Sequence, residues 1–254
     1  MNAWEKISDE LDLWTRERRR TAFWWRDDDA ADTSSNLARM TEVASSHRVH
    51  IGLSVIPLRR TERLLKFVRQ HRNLDVLVHG YAHKSHARDG EAKREFSGSR
   101  SIADMAQDLA NALALNQDAF GQRGLPVLVP PWNRISPGLL RELPKLGFQG
   151  ISTWKPRPET GHIRGLKQVN AHLDPVNWRA GRVIKPEAQV ASLLLRKLRW
   201  RRANPRRAVE PLGLLTHHEL WCVEKEQIVV NLLKATRNHP AVSWLSAREV
   251  FDGK

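Results

Sequence analysis

Short apolar segments of strand length alternate with amphipathic helical segments along this chain of 254 residues, and most of the strand segments end on reactive side chains. Strand-length runs fall at Phe23-Trp24-Trp25, 49–55, 74–78, 125–129, 148–152, 166–171, 212–216 and 241–245. Helical stretches separate them at 34–46, 61–71, 137–146, 186–202 and 225–238. A further helix opens on a Ser101/Asp104 capping box and sets Ile102, Met105, Leu109 and Leu113 on one face. The N-terminal stretch 1–18 reads as an amphipathic helix through Trp4, Ile7, Leu11 and Trp14. Polar residues 84–99 and the proline- and glycine-punctuated stretch 155–165 read as loops. Such alternation, with no internal repeat and no long linker, predicts an α/β fold in which one βα barrel spans residues 1–254. A doubly wound open sheet gives similar alternation, but no glycine-rich dinucleotide or P-loop pattern accompanies it.

In a parallel α/β fold the carboxyl ends of the strands share one face, where active sites form. The expected residents of that face follow from the strand endings. The first strand runs into Asp27-Asp28-Asp29, the third into His79-Gly80-Tyr81-Ala82-His83, and the fourth into Pro130-Pro131-Trp132-Asn133. A later segment carries His172 and Asp174 and continues to Trp178, and the strand 212–216 ends in His217-His218. Carboxylates at one strand end and imidazoles at another are the oxygen and nitrogen ligands a divalent ion such as zinc prefers.

These five endings, in this order, resemble the NodB-type polysaccharide deacetylases of carbohydrate esterase family 4, over roughly positions 20 to 220. The family's motifs are an aspartate pair, a histidine pair with three residues between, a proline loop with an aromatic, an aspartate with a tryptophan, and a leucine-rich strand ending in histidine. The resemblance implies a distorted barrel of seven or eight βα units of the polysaccharide-deacetylase type. It further implies metal ligands at Asp28, His79 and His83, a general base at Asp27, a general acid at His217 and an oxyanion donor in the backbone near Trp132. Pro131, Tyr81, Asp174 and Trp178 would line the substrate cleft. Asp29 stands where the family has glycine or serine, so the register with Asp28 as base and Asp29 as ligand stays open. Val129 stands where the family has an arginine that orients the base, with Arg26 and Arg134 as candidate replacements. His218 beside His217 leaves open which of the two faces the site.

The activity expected is amide hydrolysis: removal of acetyl from an N-acetylated saccharide by water activated on a divalent metal ion, zinc first. The alternatives are a metal-dependent hydrolase of a non-sugar amide and a catalytically silent barrel that binds an anionic glycan or nucleic acid. The net charge of +14 favours polyanions, and seven basic residues lie in the twelve bounded by Arg196 and Arg207, a candidate anionic contact surface. No nucleic-acid-binding motif accompanies them. No stretch has the ~18 consecutive apolar residues of a membrane span. The start Met1-Asn2-Ala3-Trp4-Glu5-Lys6 lacks a secretion signal, and the single Cys222 suits a reducing compartment, so a cytoplasmic location is expected.

Overall fold

The computed structural model describes residues 3–96, 98–154 and 163–252, so the expected loop at 155–165 falls largely outside the described residues. Everything in it is arranged about β1 (Thr21–Ala30), whose run of aromatics is buried on both faces. Along one edge β1 pairs in parallel with β9 (Leu212–His217). Along the other it pairs first with β10 (Val242–Leu245) and then with β2 (Ile51–Val55). From β2 the parallel order continues through β3 (Leu74–Val78), β4 (Gly124–Leu128), β5 (Gly150–Ile151) and β6 (Lys167–Gln168).

The chain beyond β6 closes the ring. Ala171 forms a bridge to Trp154 and Leu173 a bridge to Leu214. The His172 and Leu173 N–H groups donate to the Gly213 carbonyl at 2.7 and 3.0 Å, and the Leu215 N–H donates to the Leu173 carbonyl at 2.8 Å. The result is the expected parallel barrel, distorted because the wall from β5 to residue 173 is built of two-residue strands and single bridges. The expected strands at 148–152 and 166–171 shrink to those short pieces.

Alternation along β1 divides the core. Phe23 and Trp25 point outward to the cluster shared with α1 (Ala3–Arg16), α2 (Ser35–Ser46), α3 (Glu62–Gln70), α6 (Glu187–Ala203) and α7 (Val223–Thr236). Trp24 points inward to Leu77, Leu125, Val127, Val129 and Val169, and the barrel is plugged from its N-terminal end by Ala247, Val250 and Phe251 of α8 (Ala247–Asp252). α1 buries Trp4, Ile7, Leu11 and Trp14, the stripe read from the sequence. Ser34, Thr61, Ser101 and Ser136 cap α2, α3, α4 (Ile102–Phe120) and α5 (Pro137–Glu142) by accepting a backbone N–H three residues on. Ile102 is a correction: in the first turn of α4 it is exposed, while Met105, Leu109 and Leu113 are buried. The antiparallel pair β7 (Val176–Asn177) and β8 (Val183–Ile184) and the plug α8 have no counterpart in the sequence reading.

Much of the basic cluster on α6 is spent on packing. Arg202 pairs with Glu10 at 2.6 Å and Glu17 at 2.5 Å, Arg199 approaches Glu10, and buried Arg201 donates to the Glu210 carbonyl. Arg19 donates to the carbonyls of Arg201 and Arg202 at the helix end. The anionic contact surface expected of this cluster is therefore smaller than its charge count suggests. Among the described residues no helix is long and apolar enough to cross a membrane.

Closure of the barrel leaves no room at Gly213. A Cβ there would lie 2.5 Å from the Asn170 carbonyl oxygen and 2.7 Å from the Ala171 Cα, both backbone atoms. Gly213→Ala is expected to lower stability by about 1–3 kcal/mol through this overlap, read by urea unfolding. An unchanged midpoint would show that the seam yields freely.

Candidate active site at the barrel mouth

The three acids that end β1 have three different fates, and strand geometry sorts them. Arg26 and Asp28 follow Trp24 inward, whereas Asp27 follows Trp25 outward. Asp27 is sealed behind the sheet, where Oδ1 accepts from the Thr216 hydroxyl and Oδ2 from His218 Nδ1, both at 2.6 Å. Thr216 Oγ1 in turn accepts from Trp25 Nε1 at 2.8 Å. The register of β1 against β2 then slips between Asp27 and Ala30, and Asp29 takes a left-handed φ of 72°. This bulge breaks the alternation and swings Asp29 over the barrel mouth.

There Asp29 meets the histidine pair. His79 Nε2 lies 2.8 Å and His83 Nε2 3.1 Å from Asp29 Oδ1. His79 Nδ1 donates to the Val129 carbonyl at 2.9 Å, which directs Nε2 at the aspartate. The three ligand atoms lie within 4.8 Å of one another. The sequence reading put Asp28 in this group with Asp27 beside it as base, and left open the register one residue on, with Asp29 as ligand and Asp28 as base. The structure instead groups Asp29 with the histidines, because the bulge, not the order of the letters, decides which carboxylate turns to them.

Asp28 serves another partner. Its Oδ2 accepts from Arg26 Nη2 at 2.9 Å and its Oδ1 from the Ser54 hydroxyl at 2.9 Å, with both side chains buried. Arg26 also donates to Ser152 Oγ at 2.7 Å, the Thr153 carbonyl at 3.3 Å and Asn133 Oδ1 at 2.8 Å. Of the two arginines proposed to replace the one absent at Val129, Arg26 holds the carboxylate, while Arg134 is exposed and donates to the Lys93 carbonyl. Burial pushes the Asp28 carboxyl up, but the charges of Arg26, His79 and His217 outweigh it, and the net direction is down. For Asp29 burial also pushes up and the hydrogen bonds from His79 and His83 overcome it, well below the ordinary carboxylate range. Burial opposes a proton on His79, and the hydrogen bond with Asp29 reverses that to a raised value.

The loops around this group are held in costly conformations. His83, Trp132 and Asn133 share the left-handed region with Asp29, at φ of 54°, 54° and 55°. Each non-glycine residue there costs of order 1–3 kcal/mol. The Trp132 ring packs on His83 at 4.5 Å between centroids, and His83 on His79 at 5.1 Å. Glu95, buried and not singled out by sequence reasoning, accepts from the Tyr81 and Ala82 N–H groups at 3.1 and 2.7 Å and so fixes the turn between the histidines. Gly80 sits at φ of 63° with that carboxylate and Pro131 where a Cβ would be. Pro131 is thus buried wall rather than open cleft, and Tyr81 packs on the second apolar cluster with Val78 and Phe96.

Across the mouth, His217 Nε2 lies 4.0 Å from Asp29 Oδ2. His218 turns to Asp27 instead, which settles which histidine faces the site. The Trp178 ring meets His217 edge-on at 4.6 Å, and Asp174 Oδ2 accepts from Trp178 Nε1 at 2.7 Å while Oδ1 accepts from the Val176 N–H. Both oxygens of Asp174, expected in the substrate cleft, are therefore engaged, one by Trp178 and the other by the Val176 N–H. His172 is tied to Glu210 at 2.9 Å at the barrel seam, away from this group. Lys225, also unforeseen, is buried and donates to the His217 carbonyl at 3.0 Å, pinning the end of β9.

No protein-family model matches the sequence, and no curated protein matches it either. Solved structures do. A Mycobacterium smegmatis protein assigned as a polysaccharide deacetylase superposes with a TM-score of 0.66 at 12% identity, over 92% of this chain and 90% of that one. A family 4 acetyl xylan esterase from Clostridium thermocellum, solved with a cobalt ion, gives 0.56 at 15% identity over 91% of each chain. The Bc1960 peptidoglycan N-acetylglucosamine deacetylase gives 0.54 at 12% identity, over 94% and 96%. The fold is that of the NodB-type polysaccharide deacetylases. Within that deacetylase fold the barrel mouth presents a carboxylate oxygen and two imidazole Nε2 atoms in mutual reach, a donor set that suits a divalent ion. The Val129 carbonyl on His79 Nδ1 supplies the second hydrogen bond that metal-ligating histidines use.

Two outcomes test this geometry. Arg26→Met strands Asp28 and is expected to destabilise by about 3–5 kcal/mol, with much of the loss restored when Asp28→Leu is added, measured by urea unfolding of both variants. Burial opposes charge on His218, but the Asp27 carboxylate prevails and raises it above the ordinary 6.5. The folded protein then holds this proton more tightly than the unfolded chain, so the pair's stabilisation is full below 6.5 and fades as pH rises through the raised value. The stability gap between wild type and His218→Gln should accordingly be wide at pH about 5.5 and narrow at alkaline pH.

Proposed function

We propose that this chain is a metal-dependent hydrolase that removes acetyl from an N-acetylated saccharide. One observation carries the reading: Asp29, His79 and His83 converge at the barrel mouth beside a second, ionised carboxylate, Asp28, that they do not use. The solved neighbours named above, an acetyl xylan esterase and a peptidoglycan deacetylase, support acetylated carbohydrate as the substrate class.

Asp29, His79 and His83 would hold the ion, and zinc fits best. Bound there, a divalent ion supplies Lewis-acid polarisation of the acyl oxygen and acidifies water. Asp28 is the proton acceptor. Arg26 keeps it ionised at neutral pH, at some loss of basicity, and each of its oxygens retains a lone pair beyond the bonds to Arg26 and Ser54. His217 stands across the mouth and donates its Nε2 proton to the departing amine, which leaves poorly as an anion. The Trp132 backbone N–H, displayed by the left-handed turn, is the donor to the acyl oxygen. Trp178, half exposed and anchored by Asp174, offers an aromatic wall for a sugar ring while it orients His217. A cytoplasmic location agrees with the single cysteine.

Metal content and acetate release separate the roles. Wild type is expected to hold one zinc per chain, and Asp29→Ala and His79→Ala to lose it. Asp28→Asn should keep the metal and lose about 10²–10⁴-fold in rate. Asp27→Asn should keep both and lose stability. A wild type that takes up no divalent metal ends the proposal, and loss of turnover in Asp27→Asn with Asp28→Asn active would overturn the register.

A further inference from the structure

Two grooves of small-molecule size lie on the described surface. One of about 490 Å³ separates α1 from α6 and is lined by Lys6, Arg16 and Arg199 but also by Asp9, Glu10 and Asp12. Its charges are mixed and no reactive group opens on it. The other, of about 570 Å³, falls within the ~300–1,000 Å³ usual for ligand sites. It lies between the loop after β4, the residues Arg94, Phe96 and Gly98, and the ends of β5 and β6. Phe96, Ile135 and Leu140 form apolar walls, and Arg94 and Arg134 bring two cations.

The inner end of this groove is chemically placed. It is lined by Asn133 and Thr153, whose side-chain and main-chain oxygens both accept from Arg26, the arginine bound to Asp28. A ligand lying in the groove therefore ends one residue from the proposed proton acceptor. Among the described residues neither cation meets an acid: Arg134 Nη1 donates to the Lys93 carbonyl at 3.0 Å, and Arg94 Nε reaches the Ala92 carbonyl at 3.4 Å. Among the described lining residues there is no carboxylate at all. A guanidinium is a planar fork that matches carboxylate and phosphate oxygens two at a time, and apolar walls weaken the competition from water. The overall charge of +14 draws anions in from a distance.

We infer that this groove is a subsite for an anionic substituent, a carboxylate or a phosphate, carried by the saccharide next to the sugar whose acetamide reaches Asp28. The inference rests on the hydrolase reading for its substrate, and on the groove alone for its anion. It narrows the substrate class from acetylated saccharides in general to acidic ones, and it gives the uncompensated arginines a purpose that neither folding nor amide hydrolysis requires.

The test uses the whole purified protein. Glucuronic acid, glucose 6-phosphate and uncharged glucose are titrated into it by NMR, with inorganic phosphate as a control for binding of the bare anion. The same titrations are run on Arg94→Gln, Arg134→Gln and the double variant. Because both side chains bond only to exposed backbone carbonyls, the variants are expected to unfold at the wild-type temperature, and the single variants serve if the double does not fold. The anionic sugars should bind about tenfold more tightly than glucose, more weakly as salt is added, and without preference in the double variant. Tighter binding of one anionic sugar than the other identifies carboxylate or phosphate as the group held. Equal binding of all three sugars, a preference that survives the double variant, or phosphate alone binding as well as its sugar ester would overturn the subsite. Acetate release from N-acetylglucosamine and its 6-phosphate separates the two claims. Deacetylation without anion preference overturns the subsite and leaves the hydrolase. Anion preference lost in the double variant, with no deacetylation of either sugar, supports the groove and overturns the hydrolase.

Discussion

A guanidinium shut inside a barrel is tolerable only if most of its donors are answered, and Arg26 sets that condition for the whole mouth of this fold. Its four partners come from three places: Asp28 on its own strand, Ser152 and Thr153 beyond β5, and Asn133 in the loop after β4. Ser54 on β2 completes the carboxylate. Removing two charges from water costs several kcal/mol per ion, and only a nearly saturated set of bonds offsets it. One contact is left open, since Arg26 Nε has no partner in the structure. The pair thus ties both flanks of the barrel and the proline loop to one point, one residue along β1 from the aspartate that meets the histidines.

The second constraint is backbone strain. Four non-glycine residues with left-handed φ gather at the mouth, one in the bulge of β1 and three on two loops. A single one would pass as a turn. Their concentration around one triad means that the surrounding packing, including Glu95 beneath the histidine turn and Pro131 against Gly80, supplies the energy that holds them. Preorganisation of this kind is what a site that must present several groups at fixed separations needs.

What the sequence made legible was periodicity and its interruptions. The helix cap at Ser101, the α1 stripe and the reactive strand endings all follow from local patterns, and they point to the right fold and the right face. The identity of each acid's partner did not follow. Alternation sends Asp27 outward and Asp28 inward, but three identical letters in a row carry no mark of the bulge that turns Asp29 over the mouth. Arg26 was one of two candidate replacements for the absent arginine, and its spacing of two from Asp28 on a strand was a usable sign that both face the same way. Glu95 and Lys225 sit in stretches that look solvated, and only tertiary burial distinguishes them. The seam from β6 to β9 rests on bridges too short to leave a pattern.

The arginine's position has a consequence for how the mouth tolerates change. Residues two apart on a strand are spaced by the backbone itself, about 6.6–6.8 Å, so the couple of Arg26 with Asp28 is written into one rigid segment. Were the guanidinium supplied by the loop after β4, any movement of that loop would disturb the acid. Here the loop contributes only Asn133 as an accessory acceptor. A shift of that loop would move the Trp132 N–H, while the proton-handling group stays where the strand put it.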